Sequence, residues 1–560
     1  MKKILVVLFV IVCMGSISVS AANQVWARLP DGKVILNGQV ISYADNTYRQ
    51  YPVLYYKEIM YIPMTYHDCR FLGISTKWDN DTRTLYIDEE NITCAYRDYK
   101  WEHKNEKVNA VEICDFNIVV NGKEIDNSKE PYPLLTFRDV TYFPLTWRFA
   151  VDEFRWEYSY SHEDGLVINS NNYHVEKLEL PQTCDTKQIC MIMNDEYYYY
   201  AGKDGVYRAR IDDISEYQLL YTMKFNPFYE LNRGDNIRFF EIGGDVFFSY
   251  WWGHHRTDSD VVKIDAEGNV TETEHGNYFT PGQNYYKNNY LTKDVSYQVE
   301  WIGSGYRHKY YKDGEWKEII IDGVKLKNVK DEGFLGTRVY IEGYDASVAE
   351  IDRIDIYCVD TQNGEIEKVI ENIEPDRAFK AIYSWDSQSQ KMIDTLFFES
   401  DGNVMRCRPA IGELYDLSLS RTVFQLSEHN TEVIAITDGN PMFFAMKDND
   451  DNLLTIYEAD AYASGSRTGV TRFTCFDGEA IAVGDKMIVE AGIDNPETDI
   501  HTAVITSYNL EMPFQTSDVM YYYYVDGDTL YYSILTDNAP NGIYKVNLAQ
   551  YRNYSRGEYL

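Results

Sequence analysis

Apolar and polar residues alternate along most of this chain, in short runs bounded by Gly, Asn and Asp. Alternation with a period of two places successive side chains on opposite faces, so these runs predict half-buried β-strands. Helical spacing of apolar residues is found in two short segments, residues 64–72 and 145–151. The pattern predicts a mostly β protein. Its 560 residues exceed what one hydrophobic core covers, so two or more domains are expected.

The first part of the chain contains a duplicated segment. Residues 51–66 match residues 132–147 at a constant offset of 81. An Asn-Gly pair at Asn37 recurs at Asn121, and Asn-Gly favours the positive φ angles of a tight hairpin turn. The repeat predicts two small α+β modules, residues 30–110 and 111–172, each with several strands wrapped on one helix.

Two prolines within the match and two Trp residues beyond it give the copies further equivalent positions. Pro63 and Pro144 each end a strand and can open the short helical segment. Trp78 is matched with Trp156 in the hairpin that closes each copy. We expect each Trp to be buried against the helix of its own module.

The Asn-Gly hairpin, the Tyr-Pro-x-Leu…Tyr-x-Pro-x-Thr block and the trailing Trp resemble a known domain. It is the domain at the N-terminus of some copper amine oxidases, which recurs as a stalk module in exported proteins of Gram-positive bacteria. The resemblance covers residues 30–172 and implies a spacer or attachment role, not amine oxidation. The catalytic domain of the oxidases has no counterpart, because the 10 histidines are scattered and no His-x-His copper motif occurs.

From residue 180 onward, short strand pairs recur at intervals of about 40–60 residues, in the range of propeller blades. One such unit pairs residues 244–248 with residues 261–265, and eight candidate units can be counted. Radial stacking would protect the open edges of these sheets. The pattern predicts a seven- or eight-bladed β-propeller over residues 180–555, with a β-sandwich pair or an irregular solenoid as the alternative.

Two of these units close with a related phrase, Gly-x-Tyr-[Arg/Lys]-x-[Asn/Asp], at residues 205–212 and 542–547. The phrase resembles uncharacterised extracellular domains with propeller-like repeats in Firmicutes. That resemblance implies a seven- or eight-bladed propeller and no known activity.

Residues 1–22 have the features of a secretory signal peptide. Lys2 and Lys3 precede the apolar run 4–14, and small residues allow cleavage after Ala21 or Ala22. A buried strand or an uncleaved anchor is the alternative. No other stretch approaches the ~20 apolar residues that a membrane helix needs. The protein is therefore predicted to be secreted or associated with the cell surface, without a membrane span.

Charge narrows the range of partners. The formal net charge of −35 disfavours nucleic acid and anionic membrane surfaces. The 50 tyrosines suit half-exposed strands and recognition surfaces, because each has an apolar ring with a polar tip. The predicted partner is a cell-wall or extracellular polymer or protein.

Short motifs that carry catalytic or metal chemistry are missing. There is no Gly-x-Ser-x-Gly elbow, P-loop, GxGxxG after a strand, HExxH or CxxC. Residues 448–452 are rich in Asp and Asn but lack the Gly and bidentate Glu of a calcium loop, so a solvated turn is favoured. Cys184 and Cys190 could bridge a loop, which an exported protein permits. We predict no catalytic residue, metal site or cofactor.

One stretch is unusual enough to suggest a binding site. Tyr250, Trp251, Trp252, His254 and His255 would suit a loop on a propeller face, where aromatic rings stack on sugars or peptide side chains. The alternative is that the two Trp rings pack between blades.

These features favour a non-enzymatic binding or scaffold protein of the bacterial cell envelope. Its stalk modules would display a propeller that binds a polymer or a protein. A propeller-type polysaccharide hydrolase or lyase is the alternative, because two carboxylates can catalyse without any short motif. A sensor or assembly factor is a third class. Catalysis is left open by the sequence.

Overall fold

The computed structural model describes residues 23–549 with internal gaps. The gaps are residues 43–47, 162–164, 184–190, 203, 224–236, 243–244, 253–257, 274–286, 292–295, 328, 330–332, 376–378, 387–389, 401–402, 417–430, 438–440, 460–469, 492–499, 508–512 and 535–541. The chain folds into two compact units, residues 1–176 and 177–560. Both units are mostly β, as the alternating pattern predicts. The predicted signal peptide lies outside the described residues.

The first unit contains two short helical segments among its strands. In chain order the elements are β1 (Gln24–Arg28), β2 (Val34–Leu36), β3 (Gln39–Ser42), β4 (Leu54–Tyr56), β5 (Ile59–Pro63), helix α1 (Tyr66–Phe71), β6 (Ile74–Asp79), β7 (Thr84–Glu89), β8 (Val108–Ile113), β9 (Asn117–Val120), β10 (Lys123–Ile125), β11 (Leu135–Phe137), β12 (Val140–Pro144), a π-helix (Arg148–Glu153), β13 (Glu157–Ser161) and β14 (Gly165–Asn169). They form a closed barrel, β1-β4-β5-β12-β11-β8, and two four-stranded sheets, β10-β9-β7-β6 and β13-β14-β2-β3.

Strands of the two sequence copies share the sheets of this unit. In the barrel, β4 and β5 of the first copy follow β1, β11 and β12 of the second copy follow β8, and the two halves meet at the β5–β12 and β1–β8 pairs. Each Asn-Gly hairpin pairs with the closing hairpin of the other copy, since β9 lies parallel to β7 and β2 lies parallel to β14. Every one of the three sheets therefore contains strands from both copies.

The strand registers follow a pseudo-two-fold symmetry. Ile62 lies opposite Phe143, which occupies the equivalent position in the second copy. The two parallel pairs, β7–β9 and β14–β2, share one register at equivalent positions. Pro63 and Pro144 end β5 and β12, which confirms the predicted equivalence of the two prolines. A pseudo-two-fold axis therefore passes between Ile62 and Phe143.

The Asn-Gly turns hold the interleaved arrangement together. Asn37 and Gly38 have φ angles of +47° and +80°, as a type I′ hairpin requires. The Asn37 amide donates to the Phe71 carbonyl at 2.9 Å, and its Oδ1 accepts from the Ser170 N–H at 2.8 Å. Asn121 makes the same two kinds of contact. Its amide donates to the carbonyl of Glu153 at the end of the π-helix, and its Oδ1 accepts from the N–H of Glu89, the last residue of β7. Each Asn thus joins the helix of its own copy to a strand of the other copy.

The predicted equivalence of Trp78 and Trp156 is wrong. Trp78 lies opposite Leu85 in the β6–β7 pair, and Tyr160 holds the equivalent position in the β13–β14 pair. Trp156 precedes β13 and takes the buried position of Ile74, which begins β6. Trp156 is buried as expected, but Trp78 is 47% exposed. The register places Trp78 near the outer end of its strand, away from the core.

The boundary between the units falls within β15 (Val175–Leu178), and the second unit contains eight antiparallel sheets among its described residues. The first four comprise β16 (Met191–Met193), β17 (Tyr197–Ala201), β18 (Gly205–Arg210) and β19 (Tyr217–Thr222); β20 (Ile237–Ile242), β21 (Asp245–Trp252), β22 (Asp258–Ile264) and β23 (Val270–Thr273); β24 (Lys287–Leu291), β25 (Ser296–Trp301), β26 (Tyr306–Lys312) and β27 (Glu315–Ile319); and β28 (Val324–Leu326), β29 (Phe334–Leu335), β30 (Arg338–Asp345), β31 (Ile354–Asp360) and β32 (Ile366–Ile373).

The remaining sheets continue the same order along the chain. They comprise β33 (Phe379–Asp386), β34 (Lys391–Ser400), β35 (Asn403–Arg408), a 3₁₀ turn (Pro409–Ile411) and β36 (Glu413–Asp416); β37 (Thr431–Ile436), β38 (Met442–Asp448), β39 (Leu453–Ala459) and β40 (Val470–Phe476); β41 (Glu479–Val483), β42 (Lys486–Glu490), β43 (Thr502–Ile505) and β44 (Phe514–Thr516); and β45 (Met520–Asp526), β46 (Thr529–Ile534) and β47 (Ile543–Asn547). β15 completes the last sheet by pairing with β47.

Apolar clusters join successive sheets in the second unit. One contains Ile356 of β31 and Phe398 of β34, and another contains Phe248 of β21 with Tyr199 of β17. Leu178 of β15 packs in a cluster with Tyr531 of β46. Each sheet thus buries apolar side chains against a neighbour.

A buried histidine makes the stability of this unit depend on pH. The Nδ1 atom of His308 lies 3.0 Å from the Tyr297 hydroxyl. Burial lowers the pKa of His308 to about 4, although a backbone hydrogen bond with Lys327 opposes the shift. An imidazole in an unfolded chain titrates near 6.5. The unfolded state therefore binds more protons between these values, and stability falls as the pH drops from about 6.5 towards 4.

Titration of His308 is expected to lower the unfolding free energy by about 3 kcal/mol between pH 7 and pH 4. We expect His308→Gln to abolish this part of the pH dependence. Urea unfolding of the full chain across this pH range measures the effect. His103→Gln is the control, because His103 is exposed. An unchanged pH profile in the His308 variant would contradict this account.

Candidate functional site

The first unit contains a pocket of about 520 Å³ with aromatic walls. Its lining residues are aromatic, aliphatic or hydroxyl-bearing, with one carboxylate among them: Tyr51, Met64, Thr65, Tyr66, Thr76, Trp78, Leu85, Tyr99, Phe116, Thr136, Asp139, Val140 and Thr141. A mostly apolar and aromatic cavity with a few polar groups is typical of a ligand site.

Both sequence copies contribute to the pocket walls. Trp78 of the first copy meets Phe116 of the second in an edge-to-face contact, with ring centroids 5.3 Å apart. On the other side, Tyr51 and Tyr99 make a similar contact at 5.4 Å. Asp139 lies in the turn between β11 and β12, has a positive φ angle and is exposed, which places its carboxylate at the rim. The pocket exists because the two copies interleave.

A buried ion pair lies behind the pocket wall. Arg49 Nη2 is 2.8 Å from Asp68 Oδ1, and both side chains are buried. Arg49 also donates to the Tyr96 hydroxyl. Thr65, a lining residue, donates to Asp68 Oδ2 at 2.8 Å and accepts from the Asp68 N–H at 3.1 Å as the N-cap of α1. This network fixes the Thr65 hydroxyl and the start of α1 at the edge of the pocket.

His67 lies beside this network but is a weak base. Its Nε2 atom is 3.0 Å from Arg97 Nη1, and its ring meets Tyr66 edge to face at 5.1 Å. Burial, with the nearby charges of Arg97 and Arg70, lowers the pKa of His67 to about 4. The imidazole is therefore neutral near pH 7, and its low pKa makes it a weak general base.

The pocket lining contains few groups that could act in acid–base catalysis. Asp139 is the single carboxylate among its lining residues, whereas glycoside hydrolysis needs a pair at a defined separation. Burial raises the pKa of Asp68, and this carboxyl is already held by Arg49 and Thr65. Hydroxyl groups of Thr76 and Thr136 with aromatic faces suit a ligand that has both apolar faces and hydroxyl groups.

The predicted site in the second unit is described only in part. Tyr250 is fully buried in a core cluster, stacks on Phe248 and lies 3.2 Å, oxygen to oxygen, from the Tyr221 hydroxyl. Its ring therefore does not reach the surface. Trp251 and Trp252 end β21, next to residues 253–257. His254 and His255 lie outside the described residues, so a role for these four residues stays a prediction.

Two buried carboxylates of the second unit, those of Asp394 and Glu458, are held in ion pairs. Asp394 accepts from Arg338 Nη1 at 2.5 Å and from the Tyr340 hydroxyl, which joins β34 to β30 of the preceding sheet. Burial raises the pKa of Tyr340, and Cys358 and Asp394 add to the shift. Glu458 pairs with Arg472 within one sheet. The Asp394 and Glu458 carboxylates are therefore each engaged by an Arg side chain.

The described residues also limit other chemistry. They contain no helix long and apolar enough to cross a membrane. No group of three or more potential metal ligands occurs among them. Residues 448–452 contain a turn in which the Asp450 N–H donates to Asp448. Cys69, Cys114, Cys358 and Cys475 carry free thiols, whereas Cys184 and Cys190 lie outside the described residues.

Comparisons with known proteins reveal only distant similarity. No family model matches the chain, and no curated protein matches it. Among solved structures, an oligogalacturonate lyase in complex with manganese aligns at 12% identity and a TM-score of 0.32, over 55% of this chain and 86% of the lyase. A post-proline cleaving enzyme from Rickettsia typhi aligns at 11% identity and 0.36, over 63% of this chain and 57% of the enzyme.

A third neighbour is PorZ, a bacterial surface component of the type-IX secretion system of Porphyromonas gingivalis. It aligns at 11% identity and a TM-score of 0.29, over 64% of this chain and 42% of PorZ. The chain thus spans less than two thirds of both PorZ and the Rickettsia enzyme. None of the activities named for these neighbours is transferred to this chain.

Proposed function

We propose that this chain is an exported, non-enzymatic binding protein of the bacterial cell envelope. In this proposal the aromatic pocket of the first unit holds an uncharged glycan chain and does not cleave it. The observation that carries the proposal is the pocket itself, with aromatic side chains on its walls, threonine hydroxyls inside and one carboxylate at the rim.

A glycan fits this lining better than the other polymers of an envelope. The flat apolar faces of sugar rings stack on Trp and Tyr, while their hydroxyl groups exchange hydrogen bonds with Thr and Asp side chains. The net charge of −35 and the carboxylate of Asp139 disfavour an anionic polymer. With Asp139 as its one carboxylate, the pocket favours retention of the ligand over hydrolysis.

The second unit is proposed to be an eight-bladed β-propeller that serves as a rigid scaffold. Eight successive sheets and the completion of the last one by β15 support this, because a first strand that joins the last sheet would close a ring. Residues 30–110 and 111–172 are proposed to be the two copies of a stalk-like module. The signal-like residues 1–22 support export.

We expect Trp78→Ala to weaken binding of an uncharged oligosaccharide by roughly 30-fold, because truncating a Trp anchor costs about 2 kcal/mol. A glycan array probed with the full chain identifies the best ligand, with chitohexaose and cellohexaose as the first probes. Isothermal titration of that oligosaccharide then compares the variant with the unaltered protein.

Trp26→Ala is the matched control, because Trp26 is an exposed residue of β1 in the same unit and does not line the pocket. Chromatography of the ligand after incubation with the protein should recover it intact. Cleavage at enzymatic rates would overturn the binding proposal in favour of a polysaccharide hydrolase or lyase. Equal affinity of the Trp78 variant and the unaltered protein would remove the pocket from the proposal.

A further inference from the structure

The pseudo-two-fold axis of the first unit relates the pocket to a second aromatic surface. Tyr66, which follows the Thr cap of α1, corresponds to Trp147 at the same offset of 81. In the strands that follow, Trp78 corresponds to Tyr160. Tyr158 similarly replaces Thr76, so that all three of these pocket-lining positions are aromatic in the second copy.

Trp147, Tyr158 and Tyr160, here named the aromatic triad, form an exposed cluster. Their exposed fractions are 63%, 42% and 64%. The rings of Trp147 and Tyr158 meet edge to face with centroids 6.1 Å apart. Tyr158 and Tyr160 are two residues apart on β13, so their side chains leave the same face of the strand. Three large aromatic side chains are thus presented together at the surface.

The polar rim of the pocket also has a counterpart. Glu58 occupies the position of Asp139 in the corresponding turn, and both have positive φ angles. The second copy of the site thus combines aromatic faces with one exposed carboxylate, as the first copy does.

The two sites differ in how far they are enclosed. Tyr99 comes from residues 90–107, between β7 and β8, whereas β14 is followed after five residues by β15, and the residues described there form no equivalent of this wall. Phe116, which contacts Trp78, is matched by Gly32 just before β2. Without these two rings the second site is an open platform instead of a pocket, which explains why its aromatic side chains are more exposed.

We propose that the aromatic triad is a second glycan-binding site, so that the first unit is divalent for one type of uncharged polysaccharide. This inference rests on the proposed function of the pocket. A repeated ligand suits a repeated site, because successive stretches of a glycan present the same chemistry to both. Two weak sites on one unit retain a polymer more strongly than either site alone, since the second binding event becomes intramolecular. The open platform binds a short oligosaccharide more weakly than the pocket does.

The test compares short and polymeric forms of one glycan on the full chain. Isothermal titration with chitohexaose, or with the best ligand from the array, should reveal two sites per chain of unequal affinity. Trp147→Ala with Tyr160→Ala should remove the weaker site and leave the stronger site unchanged. Trp78→Ala should weaken the stronger site and leave the weaker one. On the insoluble polysaccharide, the triad variant should lose at least 10-fold in apparent affinity. Trp316→Ala, an exposed aromatic change in the second unit, is the control.

The outcomes separate this inference from the proposed function. If titration shows one site per chain that is weakened by Trp78→Ala and unaffected by the triad substitutions, the second site is overturned and the pocket is supported. No binding of any uncharged glycan overturns both. A proline-rich peptide bound at the triad in place of the glycan also overturns this inference. Circular dichroism of each variant shows that lost binding is not lost folding.

Discussion

Asp68→Ala is expected to destabilise the first unit by about 3–5 kcal/mol, the usual cost of removing one partner from a buried ion pair. Arg49 would keep its charge in a buried position with its main anionic partner gone. Thr65 would lose its hydrogen bond to the Asp68 carboxylate, and with it part of the support for its place at the pocket edge, but would still accept from the backbone N–H of residue 68. Urea unfolding of the full chain, followed by hydrogen exchange of the first unit, measures the change.

Two comparisons make this result specific. Asp126→Ala removes an exposed ion pair with Lys129 and should leave stability unchanged. The double change Arg49→Met with Asp68→Leu should recover much of the loss, because apolar groups of similar size need no compensating charge. If Asp68→Ala is as stable as the unaltered protein, the ion pair does not support the unit. If it unfolds and the double variant does not recover, repacking rather than charge limits the site.

Leu178→Asp is expected to destabilise the second unit by about 4 kcal/mol or more, through lost apolar burial and a charge placed in the core. Leu178 is buried in β15 and packs in one cluster with Tyr531 and Ile543 of the last sheet. Hydrogen exchange should report lost protection in β46 and β47, which are distant from β15 in sequence. That pattern would follow from closure of the second unit by its first strand.

Glu179→Ala is the matched control for this change. It removes a surface ion pair with Lys177 next to β15 and should leave exchange in the last sheet unaltered. If Leu178→Asp leaves the protection of β46 and β47 intact, the pairing of β15 with β47 does not contribute to the stability of the unit. The proposed ring would then lack its closing contact.

Much of the local structure was predictable from the chain alone. Alternation of apolar residues predicted strands, because a period of two places one face of each strand in a core. Asn37 and Asn121 marked hairpin turns, since Asn-Gly tolerates the positive φ angles that these turns need. The offset of 81 identified Pro63 and Pro144 as equivalent, and both end corresponding strands.

Tertiary structure decided which of the duplicated strands pair with each other. The two copies have equivalent strands, so hairpins within one copy and hairpins exchanged between copies place similar residues opposite one another. Local pattern cannot separate these arrangements, and the exchanged one is observed. The exposure of Trp78 is a second example. The strand registers make Tyr160 the equivalent of Trp78, and Trp156 lies four residues before Tyr160.

The pocket itself was absent from the sequence-based predictions, which placed the binding site at Tyr250 and its neighbours. The hydrophobic run at residues 245–252 is compatible with a recognition loop and with a core strand. The structure shows a strand in which Tyr250 is buried. Trp78 and Phe116 are far apart in sequence and meet only because the copies interleave. Sequence thus determined the strands, turns and duplication of this protein, whereas the pairing between copies decided where its aromatic residues form a site.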